Sequence, residues 1–302
     1  MALNVRRRRY LGRLAGYAVN PLRTKVRTMV GRDQRYSIGG QPVVLPPAHQ
    51  LPFYQRRDPT YDSYADALVR RIASIAGHVH VVDLGANVGD TAVGVLEAHP
   101  GVSVTCVEGD VGFLTYLHTN TSGYGDRVQV VEGFVGPVGN RRHYRRAGGT
   151  GGFQGGTAED QAPVEEWIRP AELLASVPRD RTLVWKSDID GFDIHVLVEH
   201  WERISSACDV LWFEYDPVAT LGDRADVGRL IDLLADSGRV VHAYDNLGRR
   251  LVTLEAGGPV RTGLRSLTSW LHQQRHGHVT VPYLDLWAVS PTLATALAEP
   301  TG

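Results

Sequence analysis

The chain has 302 residues, a formal net charge of −1, 43% hydrophobic residues and two cysteines. That length holds one large α/β domain with extensions, and the near-zero charge removes any whole-chain electrostatic argument for binding nucleic acid. No apolar run reaches the ~20 residues needed to span a bilayer. Cys106 and Cys208 sit in apolar runs and read as reduced core residues, not as a disulfide framework or a metal site. Lys25 and Lys186 are the only lysines; with abundant Ala, Gly and Val this points to a GC-rich bacterial genome.

Residues 1 to 36 carry ten basic side chains against one acid, Asp33. Val5, Leu11, Leu14, Ala18 and Leu22 fall at near-helical spacing. Arg7-Arg8-Arg9 has the look of an export signal, but Arg13 interrupts the apolar part and Pro21 follows. A cytoplasmic protein is expected. The arm reads either as a basic amphipathic helix touching an anionic membrane or as a solvated or homo-oligomer contact, the second being preferred. Residues 37 to 60 hold Gly39-Gly40 and five prolines, a loop-rich lead-in or short edge strands. Ser63 to Ala76 is predicted helical, with Ser63 and Asp66 as a capping pair and Gly77 as its stop.

Val79 to Leu84 reads as a buried strand. Gly85 and Gly89 follow, then a helix over Thr91 to Ala98. Strand, glycine turn and helix bring a polar ligand against backbone amides. Gly85 permits a sharp turn and close approach, and Asp83 can accept hydrogen bonds from an amine or hydroxyl. Further strands are expected at Val102 to Val107, Val128 to Val131, Thr182 to Ile189, Asp209 to Tyr215, Val240 to Tyr244, Arg250 to Leu254 and Tyr283 to Val289. Helices are expected at Val111 to Asn120, Pro170 to Ser176, Phe192 to Ile204 and around Val227 to Leu234. Gly136 to Gly156, with eight glycines and the basic run Arg141 to Arg146, breaks all periodicity and reads as a lid or a floppy insertion, the lid being preferred. No helical pattern stands out between the last two strands. The result is a doubly wound, mostly parallel sheet closed by an antiparallel pair.

Polar residues collect at the strand ends: Asp83, Glu108, Asp188, Asp190, Glu214 and Asp216. Glu108 is placed to take two ribose hydroxyls. Asp188, Asp190, Glu214 and Asp216 either bind a divalent cation or serve as a helix cap and a turn, the latter being preferred. His143, His195 and His242 are weaker base candidates.

The run Val82-Asp83-Leu84-Gly85-Ala86-Asn87-Val88-Gly89 resembles the first motif of S-adenosylmethionine-dependent methyltransferases. With Val107-Glu108, Lys186-Ser187-Asp188-Ile189-Asp190-Gly191-Phe192-Asp193, Phe213-Glu214 and the closing Tyr244 to Gly248 and Leu286 to Ser290, residues 60 to 290 resemble the FkbM family of O-methyltransferases. Asp190 and Asp193 stand where that family usually has glutamates, and its aspartate after the third strand is missing. The resemblance implies a Rossmann-like class I methyltransferase domain over 61–302, with the insertion at 136–160, behind the arm and lead-in of 1–60. It implies S-adenosylmethionine contacts from Asp83, Gly85, Asn87, Gly89, Asp90, Glu108 and Phe134, with Phe134 stacking on adenine. It implies catalysis by Asp188, Glu214 and Asp190 on a hydroxyl of a sugar, glycolipid or polyketide-type acceptor. Asp188 is a base, a metal ligand or a contact to the cofactor amine. A non-catalytic cofactor-binding protein and an NAD-dependent oxidoreductase are the competing readings; the glycine spacing and the closing strands weigh against the second.

Overall fold

The structure is a computed structural model and describes residues 31–59, 61, 63–136, 143–147, 150–154, 167–178, 180–274 and 281–298. Residues 1 to 30 of the basic arm lie outside it. The chain opens on a hairpin, β1 (Gln34–Ile38) and β2 (Gln41–Leu45), turned at Gly39-Gly40. Both glycines have positive φ, as a two-residue hairpin turn requires. A short helix α1 (Leu51–Arg57) carries Pro52 in its first turn, where the missing N–H is no loss. The proline-rich lead-in thus contains a helix as well as strands.

Next come α2 (Ser63–Ala76), β3 (Val79–Leu84), α3 (Asp90–Ala98), β4 (Val102–Glu108), α4 (Val111–Thr121) and β5 (Val128–Glu132). Every position of β3 and β4 is buried, the mark of parallel strands covered on both faces. Two small pairs follow: β6 (Phe134–Val135), which later meets β9 (Trp167–Ile168), and the hairpin β7 (His143–Ala147) with β8 (Thr150–Gln154). The glycine- and arginine-rich stretch therefore holds paired strands where the sequence shows no period. Gly148, Gly149, Gly155 and Gly156, the expected lid hinges, lie outside the described residues.

The second half runs α5 (Pro170–Ala175), β10 (Thr182–Ser187), α6 (Asp193–Glu199), α7 (Trp201–Ala207), β11 (Val210–Tyr215), α8 (Ala225–Asp236), β12 (Val240–Asp245), β13 (Arg250–Leu254), α9 (Gly258–Gln273), β14 (Leu284–Val289) and α10 (Pro291–Ala298). Three expectations change. The helix expected over Phe192 to Ile204 breaks at His200, whose φ and ψ are −112° and 21°. Strand β10 stops at Ser187, not Ile189. Asp193 gathers the Ser187 hydroxyl and the backbone N–H groups of Ile189 (3.1 Å) and Gly191 (3.3 Å), curling the chain into a turn. Helix α9 is new: it buries only Val260, Leu264 and Leu271, a stripe too thin to show among its Arg, Ser and Thr residues.

The main sheet has the order β13-β12-β14-β11-β10-β3-β4-β5. β5, β4, β3, β10 and β11 are parallel; β14 is antiparallel to both its neighbours, so β12 again runs with the five. That order, with a reversed last strand slipped between β11 and β12, is the Rossmann-like class I methyltransferase fold. Trp185, Phe192, Ile194, Leu230 and Leu264 pack on one face; Val69, Ile72, Val95, Trp212 and Trp287 pack on the other. At the amino edge, Arg239 is 4% exposed and donates to the carbonyls of Ser205, Cys208, Asp209 and Ala288, stapling that end shut. Among the described residues no helix is long and apolar enough to cross a membrane.

The hairpin is fastened behind the glycine turn. Ile38, Val43 and Leu45 pack with Val88, Val93 and Phe113. Asn120 of α4 accepts from Val44 N (2.7 Å) and donates to the carbonyls of Val44 (2.9 Å) and Val88 (2.8 Å). Asn120→Leu strands these buried backbone groups and should lower stability by about 2–3 kcal/mol in denaturant unfolding. An unchanged midpoint would mean that the hairpin is held by its apolar face alone.

Candidate active site

Register sets a line of polar residues level across the carboxyl edge. Tyr244 faces Asp285, and Asp285 faces Glu214. Ser187 pairs with Leu84 on one side and Phe213 on the other, so the next step outward brings Asp188 level with Glu214 and Gly85. Leu84 pairs with Val107, which brings Gly85 level with Glu108. Two residues below runs a second row: Trp287, Trp212, Lys186, Asp83 and Cys106. Residues paired in register share a face, so both rows look out on the same side. Ligands of doubly wound sheets lie beyond this edge.

One half of the row is a cradle. Gly85 (φ +73°) and Ala86 donate to the Val107 carbonyl, each at 3.0 Å. A Cβ at Gly85 would overlap the Asp188 carbonyl, so only glycine lets the turn and the end of β10 meet. Asn87 is left-handed at φ +51°, a conformation asparagine tolerates, and Gly89 (φ +81°) opens α3. Asp90, first in that helix, accepts from Thr91 N and lies 3.9 Å from His49 Nε2. Glu108 is 7% exposed; its Oε2 accepts from Asn87 N (2.8 Å) and its Oε1 from Asp110 N (2.7 Å). Each oxygen keeps a lone pair for a further donor. Burial raises Glu108 to about 7, with the Asn87 N–H pulling the other way. A Cβ at Gly109 would fall within the Phe134 ring, so Phe134 lies against the backbone next to Glu108.

Asp83 has no exposure at all, and Lys186 Nζ stands 2.8 Å from its Oδ1. Burial works against both charges, but Asp83 and then Asp188 keep Lys186 an ammonium. Asp83 therefore lies under the cradle, matched to a lysine, and does not line it. A cavity of about 30 Å³ behind the turn, bordered by Asp66, Asp90, Thr91 and Trp212, has room for only a water or two. Asp66 helps to line that cavity and is raised to about 7 by burial.

The other half of the row is acidic. Asp188 is exposed, and its main chain is fixed by its N–H donating to Leu84 O at 3.1 Å. Glu214 is raised well above its usual range by burial, then by Asp188, Asp193, Asp216 and Asp190. Asp190, at φ +53°, is raised by burial and by Asp188. Asp285 rises to about 7. Phe192 stands at the N-cap of α6 with no side-chain cap bond, and Asp193, the first helical residue, holds the turn before it. Asp216 makes a turn, accepting from Val218 N and Ala219 N. Among the described residues no group of three or more His, Cys, Asp or Glu side chains is spaced to hold a metal ion. His195 bridges Asp226 (2.8 Å) and Glu199 (3.2 Å), and His242 meets Thr253 (2.9 Å), both structural ties. The His143 side chain lies outside what the structure describes.

Sequence reasoning missed Asp285, Tyr64 and Tyr244. Tyr64 donates to Asp285 Oδ2 at 2.9 Å and stacks on Tyr244 with centroids 4.6 Å apart. The available signal was Asp285 itself, an acid set inside the apolar run Leu284 to Val289.

No family model matches the chain, and no curated protein matches it. Solved structures do. An O-methyltransferase from Bacillus cereus, in complex with SAH, is 12% identical over 75% of this chain and 80% of its own, with a TM-score of 0.41. The Streptomyces achromogenes O-methyltransferase involved in tomaymycin synthesis, in complex with SAM, gives 12% over 75% and 79%, TM-score 0.41. A precorrin-6y C5,15-methyltransferase from Geobacter metallireducens gives 10% over 74% and 87%, TM-score 0.36. Likenesses this distant say nothing about activity or substrate, and the strand order carries the fold by itself.

Proposed function

We propose that the chain is an S-adenosylmethionine-dependent O-methyltransferase acting on a hydroxyl of a sugar, glycolipid or polyketide-type acceptor. The observation that carries this reading is the carboxyl-edge row, with a glycine cradle and Glu108 on one side and the exposed Asp188 carboxylate on the other. The cradle fits the cofactor: Glu108 has lone pairs left for a ribose diol, and the backbone at Gly85 is bare. When bound, the cofactor supplies an electrophilic methyl group on a sulfonium. The protein orients the two partners and provides a base for a hydroxyl of high pKa. Asp188 accepts the proton which that hydroxyl must lose. The finer assignment to the FkbM family rests on the sequence motifs. The reversed β14 between β11 and β12 weighs against a nicotinamide-dependent oxidoreductase.

Glu108→Ala should weaken S-adenosylmethionine binding by about 1.5–3 kcal/mol, the scale of charge-assisted hydrogen bonds. Ribose hydroxyls donate best to the ionised carboxylate, so binding expels the proton that Glu108 holds below about 7. Affinity should therefore tighten as pH rises from ~5 toward 7 and then level off, and Glu108→Gln should flatten that slope. Calorimetry giving wild-type affinity in Glu108→Ala would refute the assignment.

A further inference from the structure

Where β10 ends, the chain turns tightly against the glycine cradle. The Asp188 carbonyl occupies the place a Cβ on Gly85 would take, and the Ile189 side chain flanks it. The far end of the turn is anchored too: the Gly191 carbonyl accepts from Leu221 N (2.9 Å) and Thr220 Oγ1 (3.2 Å). Between these ends the backbone is strained. Asp190 (φ +53°) and Gly191 (φ +101°) have positive φ in succession, and a left-handed aspartate persists only where its surroundings hold it. One carboxylate does so. Asp193 accepts from Ser187 Oγ and Ile189 N (3.1 Å) at Oδ1 and from Gly191 N (3.3 Å) at Oδ2, bonding to the residues on either side of Asp188 and Asp190. A carboxylate has lone pairs for all three donors; an amide would turn its own N–H groups toward one of them. At 2% exposure Asp193 is out of a ligand's reach, so its influence on binding passes through the turn.

We infer that Asp193 is a positioning residue of the cofactor site: it draws the 187–191 turn tight, and the turn sets the Asp188 carbonyl against Gly85 so that the cradle keeps its shape. This rests on the methyl-transfer reading above, which makes the cradle a cofactor site. Burial and then Asp188 raise Asp193 to about 6, while the Ser187 hydroxyl and the Ile189 N–H pull it down. The charged groups that face it are acids, Asp188 and Asp190 in the turn and Glu214 on β11. A protonated Asp193 points an O–H among the three donors and loosens the turn much as an amide does. The ionised form therefore binds cofactor better, and its advantage is present above about 6 and lost as pH falls through that value.

The test is calorimetry of SAH binding to the full chain at pH 8 and pH 5, in the wild type, Asp193→Asn, Ser187→Ala and the double variant, with Arg239→Met as a control. At pH 8 Asp193→Asn should bind SAH roughly tenfold more weakly and Ser187→Ala roughly threefold more weakly. The double variant should fall short of the roughly thirtyfold loss that independent effects would give, because Ser187 acts through Asp193. At pH 5 the wild-type advantage over Asp193→Asn should shrink to near one; Glu108 is common to both proteins and cancels from the ratio. Arg239→Met unstaples the opposite edge of the sheet, so it should lower the unfolding midpoint and leave SAH affinity unchanged. Should Asp193→Asn fail to fold, Ser187→Ala carries the test, with its threefold loss at pH 8 and none at pH 5. Failure of the wild type to bind SAH sinks the methyl-transfer reading. Wild-type binding with no loss in the variants at pH 8, a loss that persists undiminished at pH 5, or equal weakening in Arg239→Met overturns the positioning role alone.

Discussion

Asp188→Asn should lower turnover by roughly a hundredfold or more, the usual cost of losing a general base, while changing cofactor affinity little. The substitution keeps shape and removes only charge. The main chain at this position is fixed independently of the side chain: its N–H donates to Leu84 O, and its carbonyl lies against Gly85. The carboxylate itself is exposed at the edge, beyond the buried Ser187. A drop in turnover alone identifies the base. If affinity falls together with turnover, Asp188 contacts the cofactor amine. Activity that a chelator abolishes and magnesium restores would make it a metal ligand. Unchanged turnover and affinity would remove Asp188 from the chemistry altogether.

The parallel half of the sheet was legible because its strands are uninterrupted apolar runs punctuated by glycine. Gly77, Gly85, Gly89 and Gly238 each mark a real boundary with positive φ. What stayed hidden depended on tertiary partners. Helix α9 shows only three buried residues, so its period is drowned by polar neighbours that face water. Pro52 belongs to the lead-in that reads as loop-rich, but it sits in the first turn of a helix. Asp193 rather than Asp190 organises the turn after β10, a choice made by which carboxylate points back at Ser187. For the site, the sequence expected Asp83 to face a ligand, and the structure sets it buried beside Lys186. Nothing local shows that Lys186 lies directly across from it, since that neighbour is set by strand register.

That register makes Lys186 the residue whose loss should cost the most stability. Lys186 is 4% exposed and Asp83 is fully buried, so neither charge has water to fall back on. Lys186→Met fills similar space and leaves Asp83 alone in the core, and removing one partner of such a pair costs about 3–5 kcal/mol. The sign of the pH effect follows. Without its lysine, Asp83 has a folded-state pKa far above the unfolded ~3.9 and is protonated in the native state. Such a group adds stability at low pH and loses it as pH rises toward the folded value, so the defect should be larger at pH 8 than at pH 5. Lys186→Met combined with Asp83→Leu removes both charges and should recover most of the loss, because a buried pair often does little better than a well-packed apolar one. Denaturant unfolding of the two variants at both pH values measures each term. A single variant as stable as wild type at pH 8 would show that the pair is not ionised. A stable double variant with weakened SAH binding would assign the pair to holding Gly85 and Asp188 level, one pleat above it.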